Sequence, residues 1–249
     1  MAFDAKKCKA QLIEFIQNWF EVNGKDCKAV VGISGGKDST IVAGLCAEAL
    51  GKDRVFGVLM PNGVQKDISD SKRVVECLGI PYAIVNIEDA FQAMMKNASC
   101  VVNAQGKDIT KQTLQNLPPR LRMATLYSIS QSINGRVINT TNASEKFIGW
   151  GTMWGDTVGD VGLLRNLTVQ EVMAVGDELD IPRELIHKVP ADGLTDCSDE
   201  DNFGFTYAAL DKYIRTGECE DEEVKAKIER MHRNSEFKRN PIVAFEYNE

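Results

Sequence analysis

Residues 28–34, 54–60 and 82–87 are short runs rich in β-branched and apolar side chains, and helical segments at 39–50 and 67–78 separate them. A βαβαβ alternation admits few folds, because strands joined through helices lie parallel and the helices then cover the faces of the sheet. The expected class is therefore α/β, a doubly wound, mostly parallel sheet flanked by helices. The punctuation agrees with it. Gly51 stands where the first of these helices should stop, Asp67 where the next should be capped, and Gly79 and Pro81 follow that helix.

The remaining segments extend the same plan. Ahead of the first strand, Leu12, Phe15, Ile16, Trp19 and Phe20 fall on one face of an amphipathic helix. Two helical stretches are expected at 89–102 and 110–133, with Pro118 and Pro119 placed to mark the true start of the second. Strand character returns at 136–141, and residues 149–167 read as a glycine-rich functional loop. Thr168 and Glu171 have the spacing of a capping box, which opens a helix to about residue 180. A second polar loop covers 190–204, and two helices follow. The last has acids at its start (218–223) and Arg230, His232 and Arg233 at its end, a polarity that matches the helix dipole.

Composition bounds the function. A chain of 249 residues, 43% of them hydrophobic, suits one sizeable domain. It has no apolar run long enough to span a bilayer, and its first twenty residues lack the apolar stretch of a secretion signal. The net charge of −7 argues against nucleic acid as the main partner, since phosphate neutralisation dominates such binding. Seven scattered cysteines without a CxxC pair fit reduced thiols in the cytoplasm and argue against a structural zinc site.

The chemistry concentrates in GISGGKDS, that is Gly32, Ile33, Ser34, Gly35, Gly36, Lys37, Asp38 and Ser39, at the first strand-to-helix turn. A mononucleotide P-loop requires GxxxxGK followed by Ser or Thr. Here the two outer glycines enclose one residue too few, and Asp38 follows Lys37. Paired glycines still let backbone amides approach an anion, and the following helix turns its N-terminal end toward the same space. An aspartate would repel bare phosphate, so its presence implies a bridging Mg²⁺. The bland alternative is an ordinary glycine turn with a helix cap.

This stretch resembles the SGGxDS loop of the N-type ATP pyrophosphatases, in which ATP is cleaved at the α-phosphate and the loop holds the departing pyrophosphate. That resemblance implies the adenine nucleotide alpha hydrolase-like fold. Further matches are MPNGVQ at 60–65, PRLRM at 119–123, NTTNASE at 139–145, GWGTMWGD at 149–156, SDE at 198–200 and FKR at 237–239. In this order and spacing the chain resembles ammonia-dependent NAD synthetase over roughly residues 10–242. The resemblance implies amidation of deamido-NAD through an acyl-adenylate, giving NAD, AMP and pyrophosphate. It further implies a cytoplasmic homodimer and a single synthetase domain over 1–249, without the added amidase domain of glutamine-using relatives.

Site residues follow from the same likeness. Asp38 and Glu145 lie after the first and fourth expected strands, whose ends share one crevice in a doubly wound sheet, and together they are expected to hold Mg²⁺. Thr140 and the backbone of Met60 are expected to touch ATP. Arg120, Asp160, Phe237 and Lys238 are expected at deamido-NAD, and Asp156 is the candidate for holding ammonium and taking its proton.

Four positions depart from the family pattern. Met153 stands in place of a lysine at deamido-NAD, Val169 in place of a lysine at ATP, Ala191 in place of a threonine, and Phe237 in place of a histidine. Lys37, Arg165 and Lys188 are the cations expected to compensate. Two other readings stay open: another amidating or tRNA-modifying ATP pyrophosphatase, and a catalytically silent nucleotide-binding module.

Overall fold

The computed structural model describes residues 3–64, 68–187, 198–240, 242, 244 and 245. Among them, strands β1 (Lys28–Gly32), β2 (Val55–Leu59), β3 (Tyr82–Ile84), β4 (Gly135–Asn139) and β5 (Val161–Gly162) form a sheet in the order β3-β2-β1-β4-β5. Every pairing is parallel, and Val30 of β1 faces Phe56 on one side and Val137 on the other. The chain steps outward from β1 to β2 and β3, then returns to lay β4 on the opposite flank of β1. Connections that leave β1 in opposite directions open a crevice at the C-terminal ends of β1 and β4.

The helices are α1 (Ala5–Asn23), α2 (Lys37–Leu50), α3 (Ile68–Leu78), α4 (Glu88–Asn103), α5 (Lys111–Ser132), α6 (Ala143–Ile148), α7 (Val169–Asp177), α8 (Arg183–Ile186), α9 (Asp199–Phe203), α10 (Tyr207–Thr216), α11 (Glu222–Asn234) and α12 (Glu236–Arg239). On one face of the sheet, Ile16 and Phe20 of α1, Ile41 and Leu45 of α2 and Val172 and Val175 of α7 pack in one cluster with Val31. On the other face, Val30, Val58, Met60 and Ile87 meet Leu121, Leu126 and Ile129 of α5. Val30 and Val31 are both fully buried, as a parallel sheet covered on two faces requires. A third cluster joins Ile148, Val169, Phe203, Phe205, Tyr207, Leu210 and Ile228 beyond the end of β4.

Three sequence expectations change. Pro118 and Pro119 lie inside α5 and do not start it; Thr110 caps the helix by accepting from the Thr113 amide, and α5 begins at Lys111, well before Pro118. The interior prolines cost amide donors, and packing of Leu121, Leu126 and Ile129 against the sheet outweighs that loss. Second, the glycine-rich stretch is not all loop, because Val161 and Gly162 pair with Ile138 and Asn139 as β5. Third, Phe15 lies at the edge of the α1 stripe and is 46% exposed, whereas Ile16 and Phe20 are buried. The expected Asp67 cap and the residues Gln65, Lys188 and Ala191 lie outside the described residues.

Candidate active site

The glycine loop is held by its own hydroxyls. Ser34 Oγ and Ser39 Oγ lie 3.1 Å apart, Gly36 N donates to Ser34 Oγ at 3.2 Å, and Thr40 Oγ1 donates to Gly36 O at 2.8 Å. Gly35 has φ +80°, and a Cβ there would stand 2.9 Å from the Ser71 amide nitrogen of α3. A Cβ on Gly36 would take up the space beside Ser34 Oγ, 3.3 Å away. Gly32 is confined differently, since a Cβ would press on Leu126 and on Met60. The result is a bare backbone turn that opens α2, whose first amides point toward the crevice. Ile33 is buried and anchors the turn from below.

Asn142 joins the two expected metal carboxylates. It caps α6, with its Oδ1 accepting from Glu145 N at 2.9 Å while Glu145 Oε2 accepts from Asn142 N at 3.1 Å. The side-chain amide of the same residue donates to Asp38 Oδ1 at 3.2 Å. Asp38 Oδ2 accepts from Lys37 Nζ at 2.9 Å. Asn142 is fully buried, so these bonds are the ones that satisfy it. Burial first, and then the Asp38 charge, push the Glu145 carboxyl up to about 8. Burial opposes the charge of Lys37, yet Asp38, Glu145 and Asp199 outweigh it and hold the ammonium above its ordinary value.

A third carboxylate stands nearby. Tyr207 donates from its hydroxyl to Asp199 Oδ2 at 3.0 Å, and the Lys37 ammonium lies 5.6 Å from the centre of the Tyr207 ring. Burial raises the Tyr207 hydroxyl, which therefore stays protonated. Among the described residues no cluster of three or more His, Cys, Asp or Glu is arranged as a metal cage. Two carboxylates beside an anion-binding turn suit Mg²⁺, which takes one or two protein carboxylates and completes its shell with phosphate oxygens and water.

The expected acid-binding residues gather around the turn that follows α6. Arg120 donates from Nε to Met153 O at 3.2 Å, and Lys238 Nζ donates to Gly149 O and Gly151 O, each at 2.9 Å. Burial holds Lys238 below the ordinary lysine value. Asp156 Oδ1 accepts from Thr152 N at 2.6 Å. Asp156 reaches solvent, but the protein packed around it thins its hydration and raises its carboxyl. Thr140 follows β4 and is half-buried. The Met60 carbonyl accepts from Arg122 Nε at 3.0 Å.

Asp160 is engaged twice, accepting from Val137 N at 2.7 Å and from the Tyr127 hydroxyl at 3.2 Å. Burial, then the Asp160 charge, push that hydroxyl up to about 12. In this arrangement Asp160 ties the edge of β4 to α5.

The departures from the family pattern have distinct places. Val169 is buried in the apolar cluster with Phe203 and Tyr207. Met153 and Phe237 line one open groove of about 740 Å³ together with Trp154, Arg233 and Ile242. Of the compensating cations, Lys37 is committed to Asp38, and Arg165 lines a small cavity with Glu145 and Lys238.

Sequence reasoning missed three groups. Asn142 had a signal, the Asn-x-x-Glu spacing of a capping box, but its reach to Asp38 depends on the tertiary fold. Asp211 is buried and accepts from Ser144 Oγ at 2.5 Å and from Gln170 N at 2.9 Å, so it couples α6 to the start of α7. Asn62 Oδ1 is buried beyond the end of β2, two residues after Met60, with no hydrogen-bond partner among the described residues.

The NAD synthase family matches this chain over residues 9–242. The chain is 34% identical to the NH(3)-dependent NAD(+) synthetase of Pyrococcus furiosus over 248 residues, covering 94% of this chain and 92% of that protein. It superposes on the NMN synthetase of Francisella tularensis with a TM-score of 0.88 and 27% identity, covering 99% of this chain and all of the other. With the NH3-dependent NAD synthetase of Campylobacter jejuni, solved with a nitrate ion, the TM-score is 0.78 at 29% identity, covering 98% and 100% of the two chains.

Proposed function

The chain belongs to the NAD synthase family, and from that membership we propose that it uses ATP and ammonia to amidate deamido-NAD through an acyl-adenylate. The observation that carries this reading is the bridge made by Asn142 between Asp38 and Glu145, beside the SGGKDS turn at the crevice of the sheet. A carboxylate oxygen of the substrate attacks the α-phosphorus of ATP, and pyrophosphate leaves. Ammonia then attacks the acyl carbon, and AMP leaves.

The chain's residues divide this work. The amides of Gly35 and Gly36 and the hydroxyls of Ser34 and Ser39 hold the departing pyrophosphate, while Thr140 and Met60 border the adenosine. Asp38 and Glu145 would hold Mg²⁺, which would supply positive charge against the triphosphate. Asp156 takes the proton of ammonium, a role its raised carboxyl favours, because a more basic carboxylate accepts a proton more readily. Arg120 and Lys238 orient the acid, directly or by fixing the backbone around it. Ammonia as nitrogen source is supported by the Pyrococcus relative, an NH(3)-dependent NAD(+) synthetase.

A homodimer is part of the same reading. None of the residues of α4 is buried, and Met94 and Val101 on it are 49% and 67% exposed, beside Leu114 of α5 at 44%. An apolar face of this kind is expected to be covered by a second copy. Among the described residues no helix is long and apolar enough to cross a membrane. Six of the cysteines are free thiols, which supports a cytoplasmic setting.

A second acid has support of its own. The Francisella NMN synthetase superposes over its whole length, and Met153 and Phe237 give the outer groove an apolar wall where the family pattern has two basic residues. Such a groove, in which Arg233 is the cation, offers less to the phosphate of a second nucleotide than two further basic residues would, so nicotinic acid mononucleotide is the second acid to test. The test is to supply ATP, Mg²⁺ and ammonium with each acid in turn, and to measure amide product, AMP and pyrophosphate. Equal amounts of all three products are expected. Release of ADP, or no amide from either acid, overturns the reading, and the ratio of kcat/KM values chooses between the acids.

A further inference from the structure

Lys37 occupies a place that a metal-binding carboxylate pair would be expected to keep open. Its side chain is 4% exposed, its Nζ lies 2.9 Å from Asp38 Oδ2, and the Tyr207 ring closes it off 5.6 Å away. The other Asp38 oxygen is taken by Asn142. Both oxygens of Asp38 are thus engaged, so a cation that binds there comes up against the charge of the ammonium.

We propose that Lys37 is a resident counter-ion: its ammonium neutralises the Asp38–Glu145 pair in the nucleotide-free protein, so the pair refuses a free divalent cation and accepts one that arrives with a triphosphate. The inference rests on the metal assignment made above. A bare divalent ion would be driven against a fixed positive charge in a site with little water to screen it. A triphosphate removes that barrier by giving the ammonium another anion. Lys37 is the first residue of α2, so phosphates at the turn of Gly35 and Gly36 fall within the sweep of its flexible four-carbon stem. With Val169 buried, Lys37 is also a cation the loop can turn toward the leaving pyrophosphate. The aromatic wall of Tyr207, itself tied to Asp199, fixes the closed position without adding a competing charge of its own.

The test uses Mn²⁺ as the probe, with free Mn²⁺ followed by its paramagnetic resonance signal, and the Mn²⁺ held by the nucleotide analogue alone is measured in a protein-free titration and subtracted. Wild-type protein without nucleotide is expected to bind Mn²⁺ no tighter than about 1 mM, and to bind it in the micromolar range with α,β-methylene-ATP, which cannot be cleaved at the α-phosphate. Without nucleotide, Lys37→Met is expected to bind Mn²⁺ at least about tenfold more tightly than wild type. Equal binding by wild type with and without the analogue overturns the proposal, as does a folded Lys37→Met protein that binds no more tightly than wild type. If circular dichroism shows the variant unfolded, the two wild-type titrations decide. If wild type binds no Mn²⁺ even with the analogue, the metal assignment itself fails and takes the counter-ion role with it. Amide formation, assayed separately, then shows whether the catalytic reading survives.

Discussion

Asn142 donates from its side-chain amide to Asp38 Oδ1 at 3.2 Å, across 104 residues of sequence. The contact fixes the first turn of α2 against the start of α6. It also sets the two carboxylates from one rigid point, because the same residue caps α6 and binds Glu145.

Asn142→Ala removes a cap and a hydrogen bond to a charged group. Caps are worth about 0.5–2 kcal/mol and charged hydrogen bonds about 1.5–3 kcal/mol, so a loss of roughly 2–5 kcal/mol in unfolding free energy is expected. Urea denaturation measures it. The Mg²⁺ concentration for half-maximal activity should rise in the same variant. A variant that loses stability with an unchanged Mg²⁺ requirement would show that Asn142 only builds the helix.

Asp38→Asn keeps the shape of the side chain and removes its charge. Turnover is expected to fall by about a hundredfold or more, with the circular dichroism spectrum retained. Near-normal turnover would remove Asp38 from the metal pair.

Gly35→Ala places a Cβ 2.9 Å from a backbone nitrogen at a φ of +80°. The strain is of order 1–3 kcal/mol, and it falls on the loop proposed to hold pyrophosphate. KM for ATP should rise along with the loss of stability. Gly51 has φ +85° with nothing within 4 Å of its Cβ, so Gly51→Ala is the control that carries backbone strain without contact.

Glu145 yields a pH dependence in metal-free buffer containing a chelator. Its folded-state pKa is raised from 4.5 to about 8, so the fold disfavours the ionised form. The contribution is fully present below the unfolded value and is lost as pH rises through the folded one. The melting temperature of the wild type should therefore fall between about pH 5 and pH 8 more than that of Glu145→Gln, whose side chain does not titrate. Parallel curves for the two proteins would contradict the burial of this carboxyl.

Met153→Lys combined with Phe237→His restores two basic residues to the groove. Each new charge-assisted hydrogen bond is worth about 1.5–3 kcal/mol, or roughly tenfold or more in KM. The gain is expected for deamido-NAD and not for nicotinic acid mononucleotide. An equal change for both acids would show that the groove does not hold the second nucleotide.

The strands were legible in the sequence because a buried parallel strand concentrates β-branched residues, as in residues 29–31 and 55–59, and because Gly51 and Gly79 punctuate the helices between them. β5 was not legible. It is two residues long in a glycine-rich run, and it exists because β4 offers it an open edge. The prolines of α5 misled for a related reason, since local propensity yields to packing against the sheet. At the site, residue type and place in the strand order suggested that Asp38 and Glu145 share a crevice, and both carboxylates do meet at Asn142. Asn142 to Asp38, Lys238 to the Gly149 and Gly151 carbonyls, and Tyr127 to Asp160 were not, because each joins segments that only the folded chain brings together.

Lys238 also has a bearing on the order in which the protein is made. The glycine loop leaves the ribosome first, Glu145 roughly a hundred residues later, and the lysine that grips the Gly149 and Gly151 carbonyls nearly a hundred after that. A nascent chain that already presents both carboxylates still lacks the hook for the turn carrying Asp156. The carboxylates proposed for the metal and the lysine proposed for the substrate wall therefore emerge at separate times, and α6, which carries one of those carboxylates, itself waits for Asp211 and Ile228 to pack against it.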